Sequence, residues 1–265
     1  MESSGPSTLH EVQAVWKKRV VLQLKKIKDK SYTGVSGDIG VYNPKVQEGE
    51  SSAAIYVLNG PENNLNTIIT GWMVSPSLYK GTRYSYFFTY WTSDGSINIG
   101  CYNANCAGFV QIDKSIYVGS PFLNIYIPNG PQLETSVSIV KDLDEGNWWI
   151  SKDDINIGYF PSKLFQNLTK AETVGWGGVT VTTPNGISPP MGSRIFPDID
   201  YQHISSFKNI WYKNEIGLKY GPYRDYIREI IVDNLECYGL DYNGYQGIID
   251  EYTFEFGGPG GQCGN

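Results

Sequence analysis

Few residues in this chain are placed by a motif for acid–base or nucleophilic chemistry. Among 265 residues there are two histidines, His10 and His203. Two imidazoles exclude a histidine-rich metal centre, and a Ser–His–Asp arrangement would have to use His203, which lies near Asp198 and Asp200. A lone histidine in that setting is more often a surface or packing residue than a catalyst. No G-x-S-x-G elbow and no glycine-rich phosphate loop occurs. Several carboxylates sit where turns want them: Asp94 in Ser93-Asp94-Gly95, and Asp142, Asp144 and Glu145 in one acidic turn. Glu172 stands at the entrance of a strand. What remains is aromatic. Tyr84, Tyr86, Phe88 and Tyr90 share one face of an extended segment, with Ser85, Phe87, Thr89 and Trp91 on the other. If the tyrosine face lines a cleft it offers a stacking floor with hydroxyl handles, and Tyr90 and His203 are candidate proton donors there. If not, the run is ordinary sheet packing. This inventory calls for no metal and no cofactor.

Four cysteines allow three pairings. Four residues separate Cys101 from Cys106 and no His, Asp or Glu lies beside either thiol, which favours a local disulfide over a metal site. Cys237 then pairs with Cys263; the alternative is four reduced thiols. Asn167-Leu168-Thr169 is an N-glycosylation sequon, informative only in a secreted chain. Met1-Glu2-Ser3-Ser4-Gly5 has no apolar core and is not a secretory signal, so a signal upstream in the precursor is expected. The net charge is −6, from 21 basic and 27 acidic residues, which gives no basic stripe for nucleic acid or an anionic membrane. No stretch is long and apolar enough to span a bilayer.

The elements that must position these residues are short strands. Apolar–polar alternation predicts them at Val20–Ile27, Ile39–Tyr42, Ala53–Leu58, Thr67–Val74, Phe122–Ile127, Ser136–Val140, Trp148–Ile150, Ile155–Phe160, Thr173–Thr182, Gly192–Phe196, Phe207–Trp211 and Tyr252–Phe256. The aromatic run ends at an Asp-Gly turn and reads as the first arm of a hairpin. Ser36-Gly37-Asp38 and Asn59-Gly60-Pro61 read as turns. Only Pro161–Leu168 looks helical, and Ile231–Tyr245 looks irregular. Residues 1–18 are expected to be a tail or the remnant of a propeptide, and residues 19–265 one all-β domain.

The motifs add a resemblance. Thr89–Gly95 (TYWTSDG) is followed by Gly100–Gln111 (GCYNANCAGFVQ). In order around them come Asn66–Tyr79 (NTIITGWMVSPSLY), Gly146–Trp149 (GNWW), Gly158–Phe165 (GYFPSKLF), Gly175–Gly178 (GWGG), Met191–Pro197 (MGSRIFP) and Gly257–Cys263 (GGPGGQC). Each alone is weak, but the ordered set, from about Arg19 to the C-terminus, resembles the neprosin domain, a secreted plant family of glutamic peptidases that cut after proline. The resemblance implies two packed antiparallel sheets (a β-sandwich) with a groove across one face, the disulfides Cys101–Cys106 and Cys237–Cys263, and a secreted location, extracellular (apoplast) or vacuolar.

The same resemblance exposes a loss. The family's two catalytic glutamates lie in the NxIExGW segment and directly after WGG; here those places hold Ile69 and Val179. Neither side chain can accept a proton, donate one or hold an attacking water. Thr67, Ile69 and Gly71, and Gly177, Val179 and Val181, then belong to the groove by strand periodicity, with glycines expected to leave room for a ligand. The family's MGSG reads Met191-Gly192-Ser193-Arg194, which would add Arg194 as a cation near the groove. The expectation is a pseudopeptidase whose groove binds a proline-rich peptide or a small molecule. The alternatives are recruitment as a non-hydrolytic enzyme, a cyclase or isomerase of a small plant metabolite, and a surviving peptidase with relocated acids.

Overall fold

The computed structural model describes residues 16–123, 125, 133–182, 187–197 and 204–263. In chain order its strands are β1 (Trp16–Leu24), β2 (Tyr32–Gly40), β3 (Glu50–Asn59), β4 (Asn66–Val74), β5 (Tyr86–Thr92), β6 (Gly100–Tyr102), β7 (Val110–Gln111), β8 (Glu134–Lys141) and β9 (Trp148–Lys152). They continue as β10 (Ile155–Phe160), β11 (Thr173–Thr182), β12 (Ile187–Ser188), β13 (Ser206–Asn214), β14 (Lys219–Tyr220), β15 (Arg228–Val232), β16 (Gly239–Tyr245), β17 (Tyr252–Gly257) and β18 (Gly261–Gln262). One sheet runs β15-β1-β11-β3-β4-β5-β6; the other runs β16-β17-β13-β2-β8-β9-β10-β7, with β14 on β13, and β12 pairs with β18. This is the expected all-β sandwich.

Alternation decides which face of each strand goes inside. In the seven-stranded sheet Leu22, Ile55, Ile68, Trp72, Phe87, Trp91 and Trp176 are buried against the second sheet. A buried indole must place its N–H, and Trp72 and Trp176 do so across the sandwich, whereas the buried Trp91 Nε1 has no partner among the described residues. Trp72 Nε1 donates to the Gly40 carbonyl at 2.8 Å and Trp176 Nε1 to that of Ser36 at 2.7 Å, so both pin the first sheet to β2. Trp148 Nε1 donates to Leu168 O at 3.0 Å.

That packing explains where local expectation fails. Ser36-Gly37-Asp38 is not a turn but the middle of β2: Gly37 is small because the Trp176 ring lies against it, and a Cβ there would meet Trp176 Cδ1 at 3.3 Å and Ile210 Cγ2 at 3.0 Å. Pro161–Leu168 is no helix beyond the three-residue turn Ser162–Leu164. Its remainder is drawn into the core by Phe165 and Leu168, and Asn66 Oδ1 takes the Asn167 amide at 2.8 Å. Gly192–Phe196 is a turn rather than a strand, with Gly192 at φ 59° and Ser193 N donating to Ser205 Oγ at 2.9 Å. Ile231–Tyr245 is more regular than its sequence suggests, holding the end of β15 and all of β16. Both are peripheral strands with half-exposed faces, so alternation is faint. Phe122 and Leu123 are outside any strand, and most of the predicted strand beyond them lies outside the described residues. The first strand starts at Trp16, ahead of Val20 and inside the stretch expected to be a tail.

Candidate functional site

The outward face of the seven-stranded sheet brings the sequence-selected residues together. Register defines its rows. Across β1, β11, β3, β4 and β5, one row reads Val21, Gly177, Ala54, Gly71, Phe88. To one side lies Arg19, Val179, Ser52, Met73, Tyr86; to the other Gln23, Gly175, Tyr56, Ile69, Tyr90, the last continuing to Tyr102 on β6. Ile69 and Val179 therefore share a face, with β3 between their strands. Two strand spacings across and four residues along separate their Cα atoms by about 16 Å on a flat sheet. Both are half-buried, as is Val181 one row further, while Thr67 is on the same face but buried.

The glycines do something other than make room for a ligand. A Cβ on Gly71 would come 2.1 Å from Ala53 O and 2.6 Å from Ala54 Cα. One on Gly177, where φ is +155°, would come 2.2 Å from Val20 O and 2.6 Å from Val21 Cα. That space is already filled by the neighbouring strand, so these positions are glycine because β4 closes on β3 and β11 on β1. Ala54 lies between them. The row is a low floor bounded by Val21 and Phe88, four strand spacings or about 19 Å across, enough for about five extended residues.

The floor has an aromatic wall. Of the two faces of β5, Phe87, Thr89 and Trp91 face the core, and Tyr86, Phe88 and Tyr90 lie on the outward face, the one on which the resemblance puts the groove. Tyr79 stacks on Tyr86 with centroids 3.8 Å apart, and Tyr90 packs on Tyr102 at 4.7 Å. Phe88, Met73 and Ala54 form an apolar cluster with Ile69, Leu78, Tyr79, Tyr90 and Tyr102. The hydroxyls are held: Tyr90 OH donates to Ser96 Oγ at 2.7 Å, Asn103 Nδ2 donates to Tyr79 OH at 3.1 Å, and Thr82 Oγ1 to Tyr86 OH at 3.0 Å. Burial raises the phenols, Tyr79 to about 12 and Tyr90 and Tyr102 in the same direction, so all three remain protonated at neutral pH. On the far side the Tyr56 ring covers Gly175, and its hydroxyl donates to Gln23 Oε1 at 2.7 Å. Gln23 Nε2 in turn donates to Glu229 at 2.7 Å.

Sequence reasoning missed Glu50. It begins β3 on the groove face, in a row with Val181 and Lys17, and accepts a hydrogen bond from Ser75 Oγ at 2.9 Å. Burial raises its pKa, while the Ser75 bond and the Lys17 charge act against the rise. Extending the alternation of Ala54 and Tyr56 backwards by two steps would have found it, but the predicted strand started at Ala53.

The remaining candidates lie elsewhere. Arg194 is exposed, at φ 73°, on a turn whose Met191 packs on the inner side of Gly178 (a Cβ there would meet Met191 Sδ at 2.4 Å). The turn is thus held against the face of β11 away from the groove. His203 lies outside the described residues. The Asn167 amide is engaged, Nδ2 donating to Asn64 O at 2.9 Å. Cys101–Cys106 and Cys237–Cys263 are both bonded. Among the described residues no three His, Cys, Asp or Glu side chains cluster as metal ligands, and no helix is long and apolar enough to cross a membrane.

The chain is similar to known proteins in sequence and in fold. The family model described as Neprosin matches residues 47–259. Among solved structures, a scytalido-glutamic peptidase with a transition state analog inhibitor superposes with a TM-score of 0.45 at 9% identity, covering 92% of this chain and 98% of that one. A second structure of that peptidase, with a peptide based transition state analog, gives 0.41 at 8% identity over the same shares.

Proposed function

This chain belongs to the neprosin family, and from that premise we propose that it is a ligand-binding member that does not hydrolyse peptides. The observation that carries the proposal is the pair Ile69 and Val179, aliphatic residues at the two places where the family resemblance puts catalytic glutamates. General acid–base hydrolysis needs one carboxylate to take a proton from water and a second to support the oxyanion. Branched aliphatic groups do neither, and they desolvate the floor where the water would sit. An apolar floor, phenols kept neutral by burial and a stacked aromatic wall suit a proline-containing peptide or a flat small molecule. Two disulfides and the family's secreted character support an extracellular or vacuolar setting.

The test is cleavage of a proline-containing reporter peptide across the acid range, with binding of the same peptide followed in parallel. Binding without turnover, weakened by Val179→Trp, supports the proposal. Turnover by the unmodified protein sinks it.

A second reading has one specific observation behind it. Glu50, with its raised pKa, shares the groove face with Tyr79, Tyr90 and Tyr102, which gives proton donors beside an apolar floor. That set suits acid-catalysed cyclisation or isomerisation of a small metabolite. Under this reading Glu50→Gln stops conversion of such a substrate while leaving its binding intact; a metabolite screen that finds no conversion by the unmodified protein removes it.

A further inference from the structure

A second surface, apart from the groove, has the chemistry of a binding platform. The chain carries a net charge of −6. Yet six of the eight cation–aromatic contacts among the described residues gather around β13–β14, the segment after β14, β15 and the β16–β17 hairpin.

The segment is built to stay in place. The Tyr252 ring lies directly on Gly221, where a Cβ would come within 2.0 Å of it. The Pro222 carbonyl accepts from Arg228 Nη1 at 2.7 Å and from Tyr242 OH at 3.0 Å. Two residues after Pro222 is Arg224, whose guanidinium lies 5.1 Å from the Tyr223 ring centre and 5.9 Å from that of Tyr226, and whose Nη1 donates to Tyr226 OH at 2.7 Å. The Lys30 ammonium sits 5.7 Å from the same Tyr226 ring. Neither Arg224 nor Lys30 forms an ion pair with a carboxylate among the described residues, whereas Arg228 is spent on Asp225 and Lys219 faces Glu251 at 3.6 Å. Tyr223 and Tyr226 are 45% and 60% exposed, so beside the cations that lie over them much of each side chain is accessible to a partner.

We propose that this surface binds an acidic polysaccharide, a chain of uronate sugars. Its pyranose rings would lie on the Tyr223 and Tyr226 faces, with a sugar carboxylate taken by the Arg224 fork and the neighbouring charge by Lys30. The planar guanidinium matches a carboxylate with two parallel N–H donors, and an amphipathic aromatic face suits the C–H side of a sugar. Nucleic acid stacks on aromatics too, but its dense phosphate charge needs a continuous basic track. Here Asp225 and Glu251 interrupt the cations.

The experiment is titration of the full chain with a defined oligogalacturonate, alongside a neutral oligoglucan and a single-stranded oligonucleotide, in moderate salt. The expected result is binding of the oligogalacturonate alone, weakened at least tenfold by Tyr226→Ala and by Arg224→Gln. Arg224→Lys, which keeps the charge and loses the fork, should fall between the wild type and Arg224→Gln. Val179→Trp in the groove should leave this binding unchanged, which separates the surface from the groove proposal. Both substituted side chains are exposed, so thermal unfolding of the variants should match the parent. Absence of oligogalacturonate binding, equal binding of the neutral glucan, tighter binding of the oligonucleotide, or affinity indifferent to Tyr226 and Arg224 would each overturn the proposal.

Discussion

Replacing Gly71 or Gly177 by alanine tests whether these glycines serve a ligand or the sheet itself. Alanine in place of a strand glycine ordinarily stabilises, by about 0.4–1 kcal/mol, because it restricts the unfolded chain. Here the added methyl would lie 2.1 Å from Ala53 O in the first case and 2.2 Å from Val20 O in the second. Those neighbours are backbone atoms of hydrogen-bonded strands and must be displaced by close to an ångström. Overpacking of this kind costs roughly 1–3 kcal/mol. Gly177 adds a backbone at φ +155°, a region that costs an L-residue about 1–3 kcal/mol. The expected net loss is about 1–2 kcal/mol for Gly71→Ala and about 2–4 kcal/mol for Gly177→Ala. At about 2–4 °C per kcal/mol for a chain of this size, Tm should fall by a few degrees and by roughly 5–10 °C respectively. Thermal unfolding under oxidising conditions, followed by far-UV circular dichroism, reads the difference. A Gly71→Ala protein as stable as the parent, with ligand binding abolished, would refute the steric argument and return the glycine to the ligand.

Two further outcomes follow from the same structure. The Glu50 carboxyl has its folded pKa raised by burial above the ordinary glutamate value of about 4.3, so its favourable contribution is present below that value and is lost as pH rises through the folded pKa. Glu50→Gln should therefore flatten this part of the pH–stability profile and gain relative to the parent towards neutral pH; thermal melts from pH 3 to 8 that remain parallel for the two proteins would contradict it. The disulfides should differ in worth, since loop-closure entropy gives about 3.5 kcal/mol for the 26-residue separation of Cys237 and Cys263 and about 2 kcal/mol for the 5-residue separation of Cys101 and Cys106. Paired Cys→Ser variants in denaturant titrations should rank in that order, and the reverse ranking would count against it.

The fold class was legible because most strands alternate cleanly: β10 and β11 occupy the predicted ranges, and β4 and β17 differ from them by one residue. The failures share a cause, which is long-range packing overriding local chemistry. Ser36-Gly37-Asp38 has turn composition, but Trp176, 140 residues away from its Ser36 acceptor, needs that glycine and that carbonyl. Gly71 and Gly177 suggested open space because a sequence shows the missing side chain and not the neighbouring backbone that occupies its place. The two faces of β5 were legible as faces, but which one is core depends on the second sheet, and no spacing within Tyr84–Trp91 encodes that. Glu50 escaped for a smaller reason: the flanking Ser51 and Ser52 hid the start of β3, although the face it belongs to was already implied by Tyr56.

Under the proposal that Ile69 and Val179 stand in place of a glutamate pair, the register decides whether acids elsewhere on the groove face could take over its work. The carboxylates brought there by the register are Glu50, Glu229 and, beside Arg19, Asp233. Asp233 accepts from Arg19 N at 2.8 Å and from its guanidinium at 3.0 Å, and these bonds hold its pKa below the usual carboxylate range against the opposing effect of burial. A carboxylate committed in this way is a poor proton acceptor at mildly acid pH. Glu229 is exposed and takes the Gln23 amide. Glu50 and Glu229 are separated by three strand spacings and the six residues from Lys17 to Gln23, about 24 Å on a flat sheet. Two carboxyl groups that divide the work on one attacking water must both reach it by hydrogen bonds of about 3 Å. The span exceeds that requirement severalfold, and closing it would require folding β1 across β11. Among the described residues Glu50 is thus the carboxyl on the groove face whose pKa is raised. A single such group can protonate or hydrogen-bond a ligand, and this is the role that the proposed non-hydrolytic function gives it.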